Sequence, residues 1–364
     1  MRATVTARPL VTGPTPGRAA VVLAGGGLMV LAAGALALAL GTVGIGPLDA
    51  LGIVGRRIGL PVDGAWAPST ETIVWEIRLP RVLTGMVVGA GLGASGAVFQ
   101  ALFRNPMADP YIIGTASGAS LGAVGALVLP TLAPALAAAG GGPLGTGLVQ
   151  ASAFAGALAT VGLVYALARS GSGVPVVTLL LTGYAVSAVL AAIVALLIFL
   201  SGRALAAVVA WIMGSLAGAS WGELGLAGAL VTAAVVLLLL RWRRLNLLLL
   251  GESQAAHLGL GVEREKLVLT MLAALATSAA VAVAGTIGFV GLVAPHLVRL
   301  AVGPDHRLLL PASALLGAAL LTLADAGARL AGGIPVGVVT ALIGAPFFLW
   351  LLRRSSAVRP RAEP

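Results

Sequence analysis

Few side chains in this sequence are equipped for chemistry. None of its 364 residues is a cysteine, which excludes structural disulfides, Cys-ligated zinc and iron–sulfur clusters. The three histidines, His257, His296 and His306, stand apart from any acidic or nucleophilic cluster, so no catalytic residue and no metal site are expected. A lone histidine beside Pro295 reads as a helix-end hydrogen-bonding residue rather than a ligand. Lys266 is the only lysine, in GVEREKL; a phosphate-binding loop needs a Gly-rich turn ending in Lys and Ser or Thr, and that turn is missing. This chain is therefore expected to bind neither ATP nor Mg itself, and to carry no other cofactor. Asp325, four residues before Arg329, reads as an i,i+4 ion pair near a helix end.

The elements that hold these residues are dictated by composition. Hydrophobic residues make up 59% and charged residues 9%, against roughly a quarter charged in a soluble domain. A helix needs ~20 apolar residues to cross the hydrocarbon core. Runs of that kind are predicted at 19–41, 82–103, 111–130, 145–168, 175–200, 222–240, 266–284, 286–300, 308–328 and 336–352, the eighth being the shortest signal. The fold class is thus an all-α polytopic membrane protein of about ten transmembrane helices. One membrane domain, 19–354, lies between tails at 1–18 and 355–364. The basic leader with Arg2, Arg8 and Arg18 could precede a cleaved signal, but the apolar run after it exceeds a ~7–15 residue signal core, which favours an uncleaved first helix.

The net charge of +10 arises from short basic clusters between apolar runs, so it reads as topology rather than as a nucleic-acid site. With the N-terminus in the cytoplasm, 16 of the 22 basic residues fall inside, including Arg104, Arg169, Arg241, Arg243, Arg244, Arg264 and Lys266. Arg56, Arg57, Arg78, Arg81, Arg203 and Arg329 fall outside. Both termini are accordingly cytoplasmic. Glycines at 85, 89 and 93, at 114, 118 and 122, and at 214, 218 and 222 form three small ridges suited to close helix packing. The apolar pattern is interrupted at 105–110 and 285–295, and broken helices often mark a pathway in transporters.

Between Arg244 and Lys266 the chain reads LNLLLLGESQAAHLGLGVEREK, too polar to span. Gly251, Gly259 and Gly261 bracket a short helix, with Glu252 at its start and Ala255 and Leu258 on one face at i,i+3. Such a helix lying along the cytoplasmic surface could be an ordinary interfacial loop or a receptor for a separate ATPase. Ion-gradient coupling would require ionisable groups at mid-membrane depth, and the acidic candidate, Asp325, lies at a helix end.

Four long blocks resemble the permeases of type II ATP-binding-cassette importers, the FecCD-type family that moves iron-siderophores, haem and cobalamin. They are RLPRVLTGMVVGAGLGASGAVFQALFRNPMADPYIIGTASGASLGA from Arg78, GESQAAHLGLGV from Gly251, GTIGFVGLVAPHLVRLAVGPDHRLLLPASALLGA from Gly285 and IPVGVVTALIGAPFFLWLLRR from Ile334. The resemblance runs over nearly the whole chain after Arg18. It implies a homodimer, or a pairing with a close paralogue, of ten-helix subunits in the inner membrane. It also implies two cytoplasmic ATP-binding subunits that hold ATP and Mg, an extracytoplasmic substrate-binding protein, and contact with membrane lipid.

By the same resemblance, the segment 245–265 is the ATPase-coupling element. Gly251, Glu252, Ala255, Leu258 and Gly259 match its pattern, and His257 stands where the family often has a basic residue. Arg78, Arg81 and Arg329 match arginines that receive the binding protein's carboxylates, the alternative being snorkelling at the membrane edge. The pathway is implied along the fifth and tenth spans, where Thr178, Thr182, Ser187 and Thr340 are the candidate lining residues. The expected cargo is an iron chelate, with haem and cobalamin as alternatives. An ion-coupled secondary transporter or an intramembrane enzyme would need mid-membrane carboxylates or a catalytic cluster.

Overall fold

Helix boundaries in this chain are set by proline, glycine and short polar caps. In the computed structural model, which describes residues 15–41, 43–132, 146–171 and 173–357, Thr15 accepts a hydrogen bond from the Arg18 amide and Pro16 opens helix α1, Pro16–Ala39. Both devices satisfy or remove amides that a helix start leaves unpaired. Most of the two tails, with Arg2, Arg8, Arg359 and Arg361, lies outside the described residues.

After α1 come the surface helix α2, Pro47–Arg57, and the long α3, Pro68–Leu102, which contains a π-helical turn over Ile73–Arg78. A 3₁₀ turn at Pro110–Ile113 leads into α4, Thr115–Leu132. The chain continues through α5, Thr146–Ala168, α6, Val176–Phe199, the short α7, Leu205–Ile212, and α8, Trp221–Leu239. Two short helices, α9, Trp242–Leu249, and α10, Glu252–His257, precede α11, Val262–Ala284. The last three are α12, Val290–Val302, α13, His306–Leu330, and α14, Val336–Ala357. No β-strand occurs among the described residues.

All ten expected segments are helical, but they are not equally long. Eight helices, α1, α3, α4, α5, α6, α8, α11 and α13, are long and apolar enough to cross a membrane. The eighth expected span is the 13-residue α12, about 20 Å at 1.5 Å per residue and short of the ~30 Å hydrocarbon core. It is short because the helix is broken before it. Gly285, at φ +67, ends α11, and Phe289, at φ +69, starts α12. The apolar part of α14 is also short, Val336–Trp350. The eight-residue α7 lies within what the sequence presents as an outer loop.

The core is organised around α3, whose residues from Leu79 to Ala101 are mostly buried. Lipid tails are as apolar as leucine, so helices in a membrane associate through close packing of small residues rather than through the hydrophobic effect. The ridge at 85, 89 and 93 works in this way, and so does the second ridge at Gly118 and Gly122, its first member, Gly114, standing before α4 in a left-handed turn at φ +86. A Cβ at Gly89 would collide with the Gly317 carbonyl of α13 and one at Gly317 with the Gly89 carbonyl, while Gly118 of α4 and Gly156 of α5 exclude a side chain from each other in the same manner. The third ridge fails. Gly214 sits in a left-handed turn at φ +70, and Gly218 and Gly222 have open space where a side chain would be.

Candidate functional site

At the cytoplasmic end, the segment after α8 forms a polar platform. Gly251, at φ +121, and Gly259, at φ +85, bracket α10 in conformations that L side chains rarely adopt. Ala255 is buried, whereas Glu252, His257 and Gly259 are exposed and Leu258 is 61% exposed. The expectation that Ala255 and Leu258 share a face is therefore corrected. The helix ends at His257, and the turn through Leu258 and Gly259 directs Leu258 outward.

That exposed helix stands on a braced base. Lys266 Nζ donates to Glu263 Oε1 at 2.8 Å and to the Val174 carbonyl at 2.9 Å, and reaches both Glu252 oxygens at 3.3 Å. The Val174 amide in turn donates to Glu263 Oε2 at 2.8 Å. One ammonium thus joins the start of α10, the first turn of α11 and the connection between α5 and α6. Beside it, Arg241 and Arg244 both donate to the buried Glu265 at 2.7–2.9 Å. Asn246 of α9 binds Asp305 at 2.7 Å and the His306 amide at 2.9 Å, and Arg104 donates to the Leu248 carbonyl at 3.2 Å. These contacts tie α9 and α10 to the chain just after α3, to α11 and to the start of α13.

At the outer end the three arginines face inward. Arg78 is only 5% exposed; its guanidinium donates to the Leu38 carbonyl at 2.7 Å, the Ala39 carbonyl at 2.9 Å and the Val43 carbonyl, closing the unpaired C-terminal carbonyls of α1. Arg329 donates to Ala37 and Leu40 at 2.7 and 2.9 Å. Arg81 grips Asp325 in a two-pronged contact, Nε to Oδ2 at 2.9 Å and Nη2 to Oδ1 at 2.8 Å, a geometry suited to a guanidinium and a carboxylate. The expected Asp325–Arg329 pair is present at 3.3 Å. As docking residues these arginines need correction on exposure: Arg78 and Arg329 are buried and already bonded to α1, and only Arg81 is partly open. Snorkelling fails as well, because their heads point into protein.

The candidate pathway residues are scattered. Thr178, Thr182 and Ser187 are half-buried on α6, with the Ser187 hydroxyl close to Gly114. Thr340 is buried, donates to the Gly337 carbonyl of its own helix at 3.0 Å, and lines an apolar crevice of about 250 Å³ with Phe289, Val290 and Ile343. The face of α6 open to the surroundings carries Val177, Leu181, Tyr184, Leu196 and Phe199. Its polar member, Tyr184, is 76% exposed and was not singled out in the sequence; a hydroxyl within an apolar stripe is the signal that could have found it.

The two interrupted segments meet. The Tyr111 hydroxyl donates to the Ile287 carbonyl at 3.0 Å and accepts from the Ile287 amide at 3.2 Å, and Pro110 packs on Gly291. Backbone freed by the α11–α12 break is thereby paired from the other half of the chain, as irregular backbone at membrane depth requires. Just before this contact, Asp109 caps the Tyr111 amide at 2.9 Å. His296 lies within α12 rather than at its end, buried, and its ring makes no well-formed hydrogen bond, although the Pro106 carbonyl faces it.

Comparison with known proteins places this arrangement. A sequence model of the FecCD transport family matches residues 29–354. The cobalamin import system permease of Halobacterium salinarum is 47% identical over 294 residues, covering 80% of this chain and 76% of its own. The hemin transport system permease of Yersinia pestis is 42% identical over 330 residues, covering 88% of this chain and 93% of its own. A solved structure described as an inward-facing conformation of a putative metal-chelate type ABC transporter superposes with a TM-score of 0.75 at 31% identity, over 92% of this chain and 99% of that one.

Proposed function

This chain belongs to the FecCD transport family and is an ATP-binding-cassette importer permease of the inner membrane; from that premise we propose that it carries a bulky metal chelate of the cobalamin or haem type. The observation that carries the cargo is the pair of relatives above, named for cobalamin and for hemin. The ferric siderophore expected from the sequence is the second reading, favoured by the broader metal-chelate description of the similar structure.

In this proposal two copies, or this chain and a close paralogue, enclose the pathway. Two ATP-binding subunits dock on the exposed side of α10, reading Glu252, His257, Leu258 and Gly259. Closure of those subunits pushes α10 against the base held by Lys266, and the movement enters α11, the α5–α6 connection and, through Asn246, α13. At the outer face an extracytoplasmic binding protein presents a carboxylate to Arg81, in competition with Asp325. Arg78 and Arg329 hold the end of α1 beneath that contact. α6, with Tyr184 on its open face and Thr178, Thr182 and Ser187 half-buried to either side, together with the α14 region around Thr340, lines the route, and its apolar character suits a large chelate whose selection occurs on the binding protein.

Proteoliposomes holding this chain, its ATPase subunits and its binding protein should take up haem or cobalamin only with internal or external ATP on the ATPase side. ATP-driven uptake of a ferric siderophore alone would replace the cargo assignment. Uptake by the chain alone under an ion gradient would overturn the importer reading and favour a secondary transporter.

A further inference from the structure

A deep crevice at the outer end, between α5, α7, α8 and α11, has no part in the mechanism above. It is formed by two adjoining cavities of about 580 and 510 Å³ that share Gln150, Glu223, Ala282 and Val283. Its walls are largely apolar, with Phe154 from α5 and Leu226 and Leu230 from α8. Its polar groups converge on one point. Gln150 Nε2 donates to Glu223 Oε1 at 2.6 Å, and Ser220, the cap of α8, lies beside them. No Arg or Lys among the described residues pairs with Glu223, and its second carboxylate oxygen has no hydrogen-bond partner there.

We propose that this crevice binds an aminophospholipid, with the primary ammonium of its headgroup on Glu223 and an acyl chain along Leu226 and Leu230. The assignment rests on three matches of chemistry and position. First, an unneutralised carboxylate next to apolar walls favours a cation, and a primary ammonium has three N–H donors for three acceptors present: the free Glu223 oxygen, the Gln150 carbonyl oxygen and the Ser220 hydroxyl. Second, the site lies at headgroup depth. Trp221, two residues before Glu223, packs on Trp75 with ring centroids 5.2 Å apart and donates to the Trp75 carbonyl at 3.1 Å, and tryptophan is enriched at membrane–water boundaries. Third, the apolar wall is open to the surface of the chain, since Leu226 is 70% exposed on a helix long and apolar enough to cross a membrane. The site is independent of the cargo and of the partners proposed above.

The test is native mass spectrometry of the delipidated full chain in detergent, titrated with phosphatidylethanolamine, phosphatidylcholine and phosphatidylglycerol of identical acyl chains. Phosphatidylethanolamine should be retained at least about tenfold more tightly than the other two, the scale of a charge-assisted hydrogen bond, because choline has no N–H to donate and glycerol no charge. Glu223→Gln, which preserves size and a pairing with Gln150, should abolish that preference. Gln150→Leu, which leaves the carboxylate in place, should reduce it several-fold, and covers the case in which Glu223→Gln does not fold. Leu230→Trp should weaken retention by filling the acyl-chain wall. Equal retention of ethanolamine and choline lipids, or an unchanged preference in folded Glu223→Gln, overturns the proposal. Displacement of the bound lipid by free ethanolamine at equal concentration overturns its lipid part.

Discussion

The two ends of this bundle use charge in opposite ways. At the outer end Arg78, Arg81, Arg329 and Asp325 turn toward one another and toward the last carbonyls of α1. At the cytoplasmic end Lys266, Glu263 and Glu265 form a braced base, while Glu252, His257 and Leu258 are left on the surface above it. Burying a charge is costly unless it is paired and hydrogen-bonded, so the outer cluster is a fold-holding device that a partner can reach only at Arg81. The inner end separates the two tasks, with charges for support below and a presented surface above. Substitutions at the two ends should therefore differ in kind.

The largest effect on stability is expected at Asp325. Asp325→Ala leaves Arg81 and Arg329 without their shared counter-ion in a buried setting, and breaking a buried pair of this kind costs about 3–5 kcal/mol. The melting temperature of the detergent-purified protein should fall steeply. A variant with unchanged melting would mean that the outer cluster is a solvated surface and would remove the contrast between the ends.

Lys266→Met should be the next most damaging. Glu263 keeps the Val174 amide and Glu252 is exposed, so the loss of stability is expected at about 1–3 kcal/mol. Function should suffer more, because the base of α10 loosens. ATPase subunits should still bind, but stimulation of ATP hydrolysis by the binding protein should disappear. Retained stimulation would show that Lys266 is support for the fold alone.

What the sequence revealed depended on how local the signal was. The ten helical segments followed from apolar run length, and the Asp325–Arg329 pair from a spacing of four. Arg81 joins that pair from 244 positions away in the chain, and nothing in a pattern of spacings reports such a contact. Arg78 matched a family position, yet its bonds to Leu38 and Ala39 require knowing where α1 ends relative to the π-turn in α3. Gly114 and Gly214 each open an expected ridge from a left-handed turn outside the helix that follows; the ridge at 114, 118 and 122 survives because Gly118 and Gly122 meet the backbone of α5, and the one at 214, 218 and 222 does not because Gly218 and Gly222 face open space. α7 escaped because eight residues fall well below the length that signals a crossing. Glu223 and Gln150, on different helices, became a pair only in three dimensions.

Leu258→Asp should have the smallest effect on stability and is the sharpest test of the comparison. Leu258 follows the last residue of α10, 61% exposed, and its amide is bonded back to Gln254 at 3.1 Å, so the side chain contributes little to the base beneath. Surface substitutions of this kind usually stay within about 0.5 kcal/mol. If the exposed side of α10 is the surface that receives the ATPase subunits, a carboxylate added there should weaken their co-purification while the melting temperature holds. Asp325→Ala should behave in reverse, lowering the melting temperature while any protein that remains folded still binds the ATPases. Were Leu258→Asp to lower stability as Asp325→Ala does, with ATPase binding intact, α10 would be part of the support and the docking surface would have to be sought on the exposed face of α9 or around Arg169, Ser170 and Gly171.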